Sequence, residues 1–123
     1  MRLTTTLIAD KLSQTYPNID WYVNFVPEAE QTIPSLPLGR ITEVGYTHDS
    51  YASNDPLMMD TTIQIDVWFK TLSEAQNIYY EMDKLFSGNY NSLSYSEIGT
   101  DPDIENAPRI IKRYTITRNI KLG

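Results

Sequence analysis

The side chains that could do chemistry in this sequence are few and widely spaced. Its 123 residues include no cysteine and one histidine, His48. Nucleophilic catalysis needs a serine or cysteine beside a base. His48 lies in a polar, turn-rich stretch, where a histidine is usually a solvated side chain. The lack of cysteine also removes disulfides and zinc–thiolate sites. The sequence therefore predicts no catalytic residue and no cofactor.

Acidic residues occur at two places where a metal site can be considered. Asp101, Asp103 and Glu105 follow a D-x-D-x-E pattern. That pattern lacks the glycine at the sixth position and the later bidentate glutamate of a calcium loop. A second set of acids lies between residues 47 and 60, with only its spacing to suggest convergence. We expect both sets to be solvated loop acids and predict no metal site.

The element that positions any functional surface is the stretch of residues 61–88. In residues 61–70, apolar and polar side chains alternate, which predicts a strand with one buried face. Residues 71–88 place apolar side chains three and four apart, which predicts a helix. Thr71 and Glu74 have the spacing of a capping box at the helix start, and Gly88 is placed to end it.

Periodicity and turn residues predict the remaining elements. They are a helix at residues 4–15 and strands at residues 20–26, 38–51, 89–98 and 110–122. Gly45 is a candidate bulge in the second strand. Strands in blocks with two helices predict a single α+β domain over residues 1–123. We expect an antiparallel or mixed sheet of about five strands with two helices packed on one face.

Residues 47–60 are rich in turn-forming residues and end in the apolar triplet Leu57, Met58 and Met59. Two interpretations remain open. The stretch could be a hairpin loop that leads into the central strand, with the methionines beneath the core. It could instead be a protruding loop whose triplet docks on a partner, since long loops in compact domains are often functional.

The chain carries a formal charge of −6, and the charge is unevenly distributed. The negative sign argues against a nucleic-acid partner. No apolar run is long enough for a membrane helix, and the first residues lack the pattern of a signal peptide. Half of the ten lysine and arginine residues lie after residue 108, whereas residues 43–66 carry five carboxylates and no lysine or arginine. Copies could therefore attract each other, although a strand face that balances its neighbours explains the pattern equally well.

The order of these elements resembles that of the tail terminator, or tail-to-head joining, proteins of long-tailed bacteriophages of Gram-positive hosts. The resemblance covers almost the whole chain and rests on the unit from IQIDVWFK to MDKLFSG and on the closing strand RIIKRYTIT. It implies a six-membered ring that caps the tail tube, ends its polymerisation and joins the tail to the head, without catalysis. The implied partners are the major tail-tube protein and a head-connector or head-closure protein. The implied location is the neck of the virion, after assembly in the host cytoplasm.

A ring needs two different, complementary patches on every subunit. The acidic middle and the basic closing strand are candidates for these patches, and the apolar triplet is a candidate contact with the tube or connector. The candidate subunit contacts are Arg109, Lys112, Arg113, Arg118, Lys121, Asp49 and Asp60, and the candidate tube or connector contacts are Leu57, Met58 and Met59. Two alternatives remain: another neck component, such as a head-closure or tail-tube subunit, and a small ligand-binding or enzymatic α+β domain.

Overall fold

The computed structural model describes residues 3–52, 55–87 and 91–119, and the side chains of residues 47–52, 55–57 and 119 lie outside that description. Its helices are α1 (Thr4–Thr15), α2 (Leu72–Tyr79) and α3 (Glu81–Leu85). Its strands are β1 (Asp20–Val23), β2 (Leu38–Ala52), β3 (Asp55–Trp68), β4 (Ser92–Asp101) and β5 (Ala107–Asn119). The strands form one sheet in the order β1-β2-β3-β5-β4. β1 runs parallel to β2, and every other neighbouring pair is antiparallel. This is the mixed-sheet α+β fold expected from the sequence.

One face of the sheet, the helix-covered face, carries the main core. Ile63, Ile65 and Val67 of β3 alternate onto this face, and all three are fully buried. They pack with residues of the helices and neighbouring strands. These partners include Ile8, Leu12, Ile41, Ala75, Met82, Phe86, Ile110 and Tyr114. The apolar side chains that alternate along β3 thus pack against the apolar stripes of the helices in a single layer.

The opposite face, called here the helix-free face, is covered only at one end. There Trp68 and Leu38 pack against Val26 and Leu36 of the segment between β1 and β2, and against Ile104. That segment contains two short 3-10 turns, Glu28–Glu30 and Ile33–Ser35, and a third lies at Pro102–Ile104. The irregular, proline-rich connection therefore serves as a second packing layer for this end of the sheet.

The prediction of a loop at residues 47–60 is wrong. β2 continues to Ala52 and β3 begins at Asp55, so most of this stretch is paired strand, with Thr47 opposite Asp60 and His48 opposite Met59. Continuous cross-strand pairing has overridden the local turn preference of the aspartates and serines. Leu57, Met58 and Met59 thus belong to β3 rather than to a loop, and their contact with a partner stays a prediction. The predicted bulge at Gly45 is confirmed by a register shift between Glu43 and Gly45.

Two boundaries differ from the prediction for physical reasons. The first strand ends at Val23 because Asn24 takes a left-handed conformation, with φ of 74°. The helix predicted from residue 71 bends at Tyr80, which separates α2 from α3. Thr71 does cap α2 and accepts a hydrogen bond from the Glu74 amide at 3.2 Å. Gly88, the predicted helix end, lies outside the described residues.

Candidate functional site

A buried carboxylate at the centre of the helix-free face organises the strongest polar cluster, the Asp66 cluster. Asp66 is fully buried on β3, directly opposite Arg40 of β2. Arg40 Nη2 donates to its Oδ2 at 3.0 Å, and Arg109 Nη2 of β5 donates to its Oδ1 at 2.6 Å. Gln64 adds a further donor at 3.1 Å. The carboxylate therefore receives hydrogen bonds from side chains of three adjacent strands.

Trp68 extends this cluster towards the end of the sheet. The guanidinium carbons of Arg40 and Arg109 lie 5.4 and 5.3 Å from its ring centroid. Its indole N–H donates to Asp101 Oδ2 at 2.8 Å. Both arginines are thus held between a carboxylate and an aromatic face, an arrangement that suits the planar guanidinium group.

A cleft of about 200 Å³ opens beside the cluster. Its lining residues are Val26, Gln31, Arg40, Trp68, Asp101, Asp103, Ile104 and Arg109. The volume is below the roughly 300 Å³ at which small-molecule pockets usually begin. Its arginines and Asp101 already bind other side chains of the cluster. Within the described residues, no three histidine, aspartate or glutamate side chains are grouped to hold a metal ion. The charged residues that line the cleft therefore serve to hold neighbouring strands together.

A second polar cluster lies beneath the helices, around Lys112 of β5. Lys112 is only 1% exposed, and its Nζ lies 3.2 Å from Asp83 Oδ1 and 3.9 Å from the Tyr79 ring centroid. Tyr114 O–H donates to Asp83 at 2.5 Å. Burial, and then the Asp83 carboxylate, raise the pKa of Tyr114 well above its ordinary value. This cluster ties α3 to β5.

The basic residues predicted as one contact surface separate onto the two faces of β5. Arg109 and Arg113 point to the helix-free face, where Arg113 Nε donates to Gln64 at 2.8 Å. Lys112 is in the core, and Arg118 donates to Thr4 of α1 at 3.0 Å. Strand alternation causes this split, because neighbouring residues on a strand face opposite ways. Lys112 is thereby removed from any surface, and Lys121 lies outside the described residues.

The candidate acids and the apolar triplet lie along the β2–β3 hairpin. Asp60 accepts a hydrogen bond from Thr117 of β5 at 2.5 Å, and Met59 lies opposite Arg118. The acidic middle and the basic last strand are therefore neighbours within one subunit, which favours the charge-balancing interpretation of the sequence pattern. Met58 and Met59 are half-buried. The side chains of Asp49 and Leu57 are outside the described set.

Two lateral edges of the sheet carry exposed apolar side chains. On β2, Val44 and Tyr46 are 51% and 57% exposed; on β4, Leu93 and Tyr95 are 46% and 42% exposed. Val44 lines a shallow groove with Thr62 and Thr115 on the helix-free face. Tyr95 lies opposite Arg113, whose guanidinium sits 5.3 Å from its ring. These two patches lie to either side of β3 and β5, the two strands between β2 and β4.

Sequence reasoning missed both the Asp66 cluster and the two edge patches. A carboxylate inside the apolar strand IQIDVWFK is a signal of a buried, paired charge. Its partners follow only from strand register. The edge patches have no local signal, because strand order and register decide which side of a strand has no neighbour.

The chain was compared with protein-family models and with curated proteins. No protein-family model matches the chain, and no curated protein matches it.

No helix in the described part of the chain is long and apolar enough to cross a membrane.

Proposed function

We propose that this protein is a structural virion subunit that forms a ring at the end of a phage tail tube. The ring, six-membered by the resemblance of the sequence, ends tube polymerisation and joins the tail to the head connector. Its partners are further copies of itself, the major tail-tube protein and a head-connector or head-closure protein. It is assembled in the host cytoplasm and remains in the neck of the virion.

The proposal rests on the two exposed apolar patches, one on β2 and one on β4, which are separated by the two central strands of the sheet. A cyclic assembly uses a heterologous contact, in which two different surfaces of each subunit meet. Val44 and Tyr46 supply one such surface, and Leu93 and Tyr95 supply the other. Tyrosine is enriched at protein interfaces because its large ring is apolar while its hydroxyl tolerates water. The phage context comes from the resemblance of the sequence.

Native mass spectrometry of the full chain, with purified tail-tube subunits added in a second experiment, tests the proposal. We expect a closed ring of one defined size, and we expect the protein to stop tube elongation at its end. A strictly monomeric protein at high concentration, with tubes present, would contradict ring formation. Incorporation along the tube would instead identify a tube subunit, and binding only to the head connector would identify a head-closure protein.

A small ligand-binding domain is the second candidate, and the cleft beside Trp68 is the observation that favours it. Two arginines and a tryptophan at one cleft could bind a compact anion with an aromatic part. However, Asp101 and Asp103 line the same cleft and oppose an anion. The partly neutralised arginines and the small volume make this the weaker candidate.

A further inference from the structure

Two strands, β2 and β4, each have one side along which no described strand lies over most of their length. β1 pairs only with residues 38–41 of β2, so within the described residues no strand lies beside the outer side of residues 42–52. We call this the β2 edge. On the other side, β4 pairs with β5, and no described strand lies beyond it. We call its outer side the β4 edge. A strand side without a neighbouring strand is a template for a further strand.

The two edges match each other in direction and length. β2, β3, β5 and β4 are antiparallel in succession, so β4 runs opposite to β2. Rotation about a ring axis leaves strand directions along that axis unchanged. A neighbouring copy therefore presents its β4 edge antiparallel to the β2 edge, with the corresponding faces of the two sheets on the same side. β4 has 10 residues, which matches the length of residues 42–52. Within one subunit, however, the start of β4 is level with Gly45, because Ser92, Thr115, Thr62 and Gly45 are in register across the sheet. The strands must therefore be tilted against the ring axis, as they are in a β-barrel, for β4 to reach residues 42–52 of the next copy.

We propose that β4 of one copy adds to the β2 edge of the next copy as an antiparallel strand, so that the sheet continues from subunit to subunit. This inference rests on the proposed ring. β1 occupies the outer side of β2 up to Ile41, and the incoming strand therefore lies alongside residues 42–52. Val44 and Tyr95 both belong to the helix-free face. In this antiparallel register Val44 lies near the Gly99 end of β4, and Leu93 and Tyr95 lie alongside the later residues of β2.

A second copy of the chain is the partner at each edge, because the β2 edge and the β4 edge of this chain are complementary to each other. A strand from a different protein would satisfy one edge and leave the other open. A two-fold dimer through β4 alone would have the same defect, since it would leave the β2 edge and its apolar patch exposed. Only head-to-tail addition covers both edges in every subunit of a closed ring.

Disulfide trapping tests the pairing, and the chain is suited to it because it has no cysteine of its own. Val44→Cys is mixed with Tyr95→Cys, Glu97→Cys or Gly99→Cys, which scan alternate positions of β4. Mild oxidation should link Val44→Cys to at least one of these, because facing strand residues bring Cβ atoms within disulfide range. Val44→Cys mixed with Tyr80→Cys, on the exposed bend between α2 and α3, should stay unlinked.

The outcomes separate the pairing from the ring itself. A ring in native mass spectrometry without any of these links, or with links only between two copies of the same β4 variant, overturns the pairing and leaves the ring intact. Failure of the unmodified protein to form a ring overturns both. A link in the ring fraction supports both.

A double variant gives an independent readout. Leu93→Lys with Tyr95→Lys places charge on the β4 edge, which blocks strand addition. We expect the concentration for half-assembly to rise at least about tenfold, which corresponds to about 1.4 kcal/mol. Tyr80→Lys is the matched control and should assemble like the unmodified protein. Circular dichroism of each variant confirms that the subunit is folded, and equal assembly of the double variant would overturn the pairing.

Discussion

At the scale of single residues, the Asp66 cluster shows how a charge can be buried in the middle of a strand. Asp66 is fully buried, while Arg40 and Arg109 keep part of their side chains in solvent. The carboxylate is compensated by two guanidinium groups and an amide, so its desolvation is offset by charge-assisted hydrogen bonds. The cluster joins β2, β3 and β5, the three strands between β1 and β4.

Replacing Asp66 with asparagine tests this role. The change removes the negative charge, so that Arg40 loses its carboxylate partner and Arg109 keeps only that of Asp101, at 4.0 Å. We expect the free energy of unfolding to fall by about 2–3 kcal/mol, below the value for fully buried pairs because both arginines reach solvent. Urea denaturation measures it. Asp103→Asn, at an exposed position of the same cleft, should change stability by less than about 0.5 kcal/mol. A similarly small loss for Asp66→Asn would contradict the argument.

At the scale of elements, the junction between β3 and α2 depends on one local device. The Thr71 hydroxyl accepts a hydrogen bond from the Glu74 amide and donates one to the Glu74 carboxylate at 3.1 Å. This satisfies one of the free N–H groups of the first helical turn. It sets where the chain leaves the sheet, and hence where Ala75 and Met82 enter the core.

Thr71→Ala should reduce the free energy of unfolding by about 1 kcal/mol, because it removes the helix cap. Ser73→Ala is the matched control. It removes a hydroxyl from an exposed position inside α2 and should change stability by less than about 0.5 kcal/mol. Equal effects of the two substitutions, measured by thermal or urea unfolding, would show that the cap adds no more to the free energy of unfolding than an ordinary surface hydroxyl does.

At the scale of the whole molecule, the interior is sensitive to high pH. Burial, and then the nearby Glu81 carboxylate, raise the pKa of Tyr16 to about 12, and the pKa of Tyr114 is raised as well. In the unfolded chain both tyrosines ionise near pH 10. Above that pH the unfolded state loses protons that the folded state retains, so stability is lost as the pH rises.

The midpoint of urea denaturation should therefore fall between pH 10 and pH 12. Tyr16→Phe cannot ionise at this position, and it should show a smaller fall than the unmodified protein over the same range. Tyr80→Phe is the control, since the Tyr80 side chain is exposed, and its fall should match that of the unmodified protein. A Tyr16→Phe curve parallel to the unmodified one would contradict the assignment.

The two proposed edges also belong to this largest scale, because they exist only once the strand order is set. The Asp66 cluster holds the central strands, and the apolar patches lie outside it on β2 and β4. In the proposed ring, such a subunit keeps the Asp66 carboxylate paired inside and turns its strand edges towards its neighbours. Arg109, Lys112, Arg113 and Arg118 of the basic last strand have partners within the subunit, and their contact with another subunit stays a prediction.

The sequence by itself determined the local elements. The helix at Thr4–Thr15, the strand running into the capped helix at Thr71, and the α+β class were all predicted from hydrophobic period and capping residues. Such signals act over a few neighbouring residues, so they can be read without knowing the rest of the fold.

Only the tertiary structure decided which side chains meet. Asp66 binds Arg40 from 26 positions away and Arg109 from 43 positions away. Lys112 became a core residue because β5 turns that position towards Asp83. The turn-rich residues 47–60 became strand because a partner strand was available along their length. Strand order and register are long-range properties, and they created the paired charges inside the sheet and the open edges at its sides.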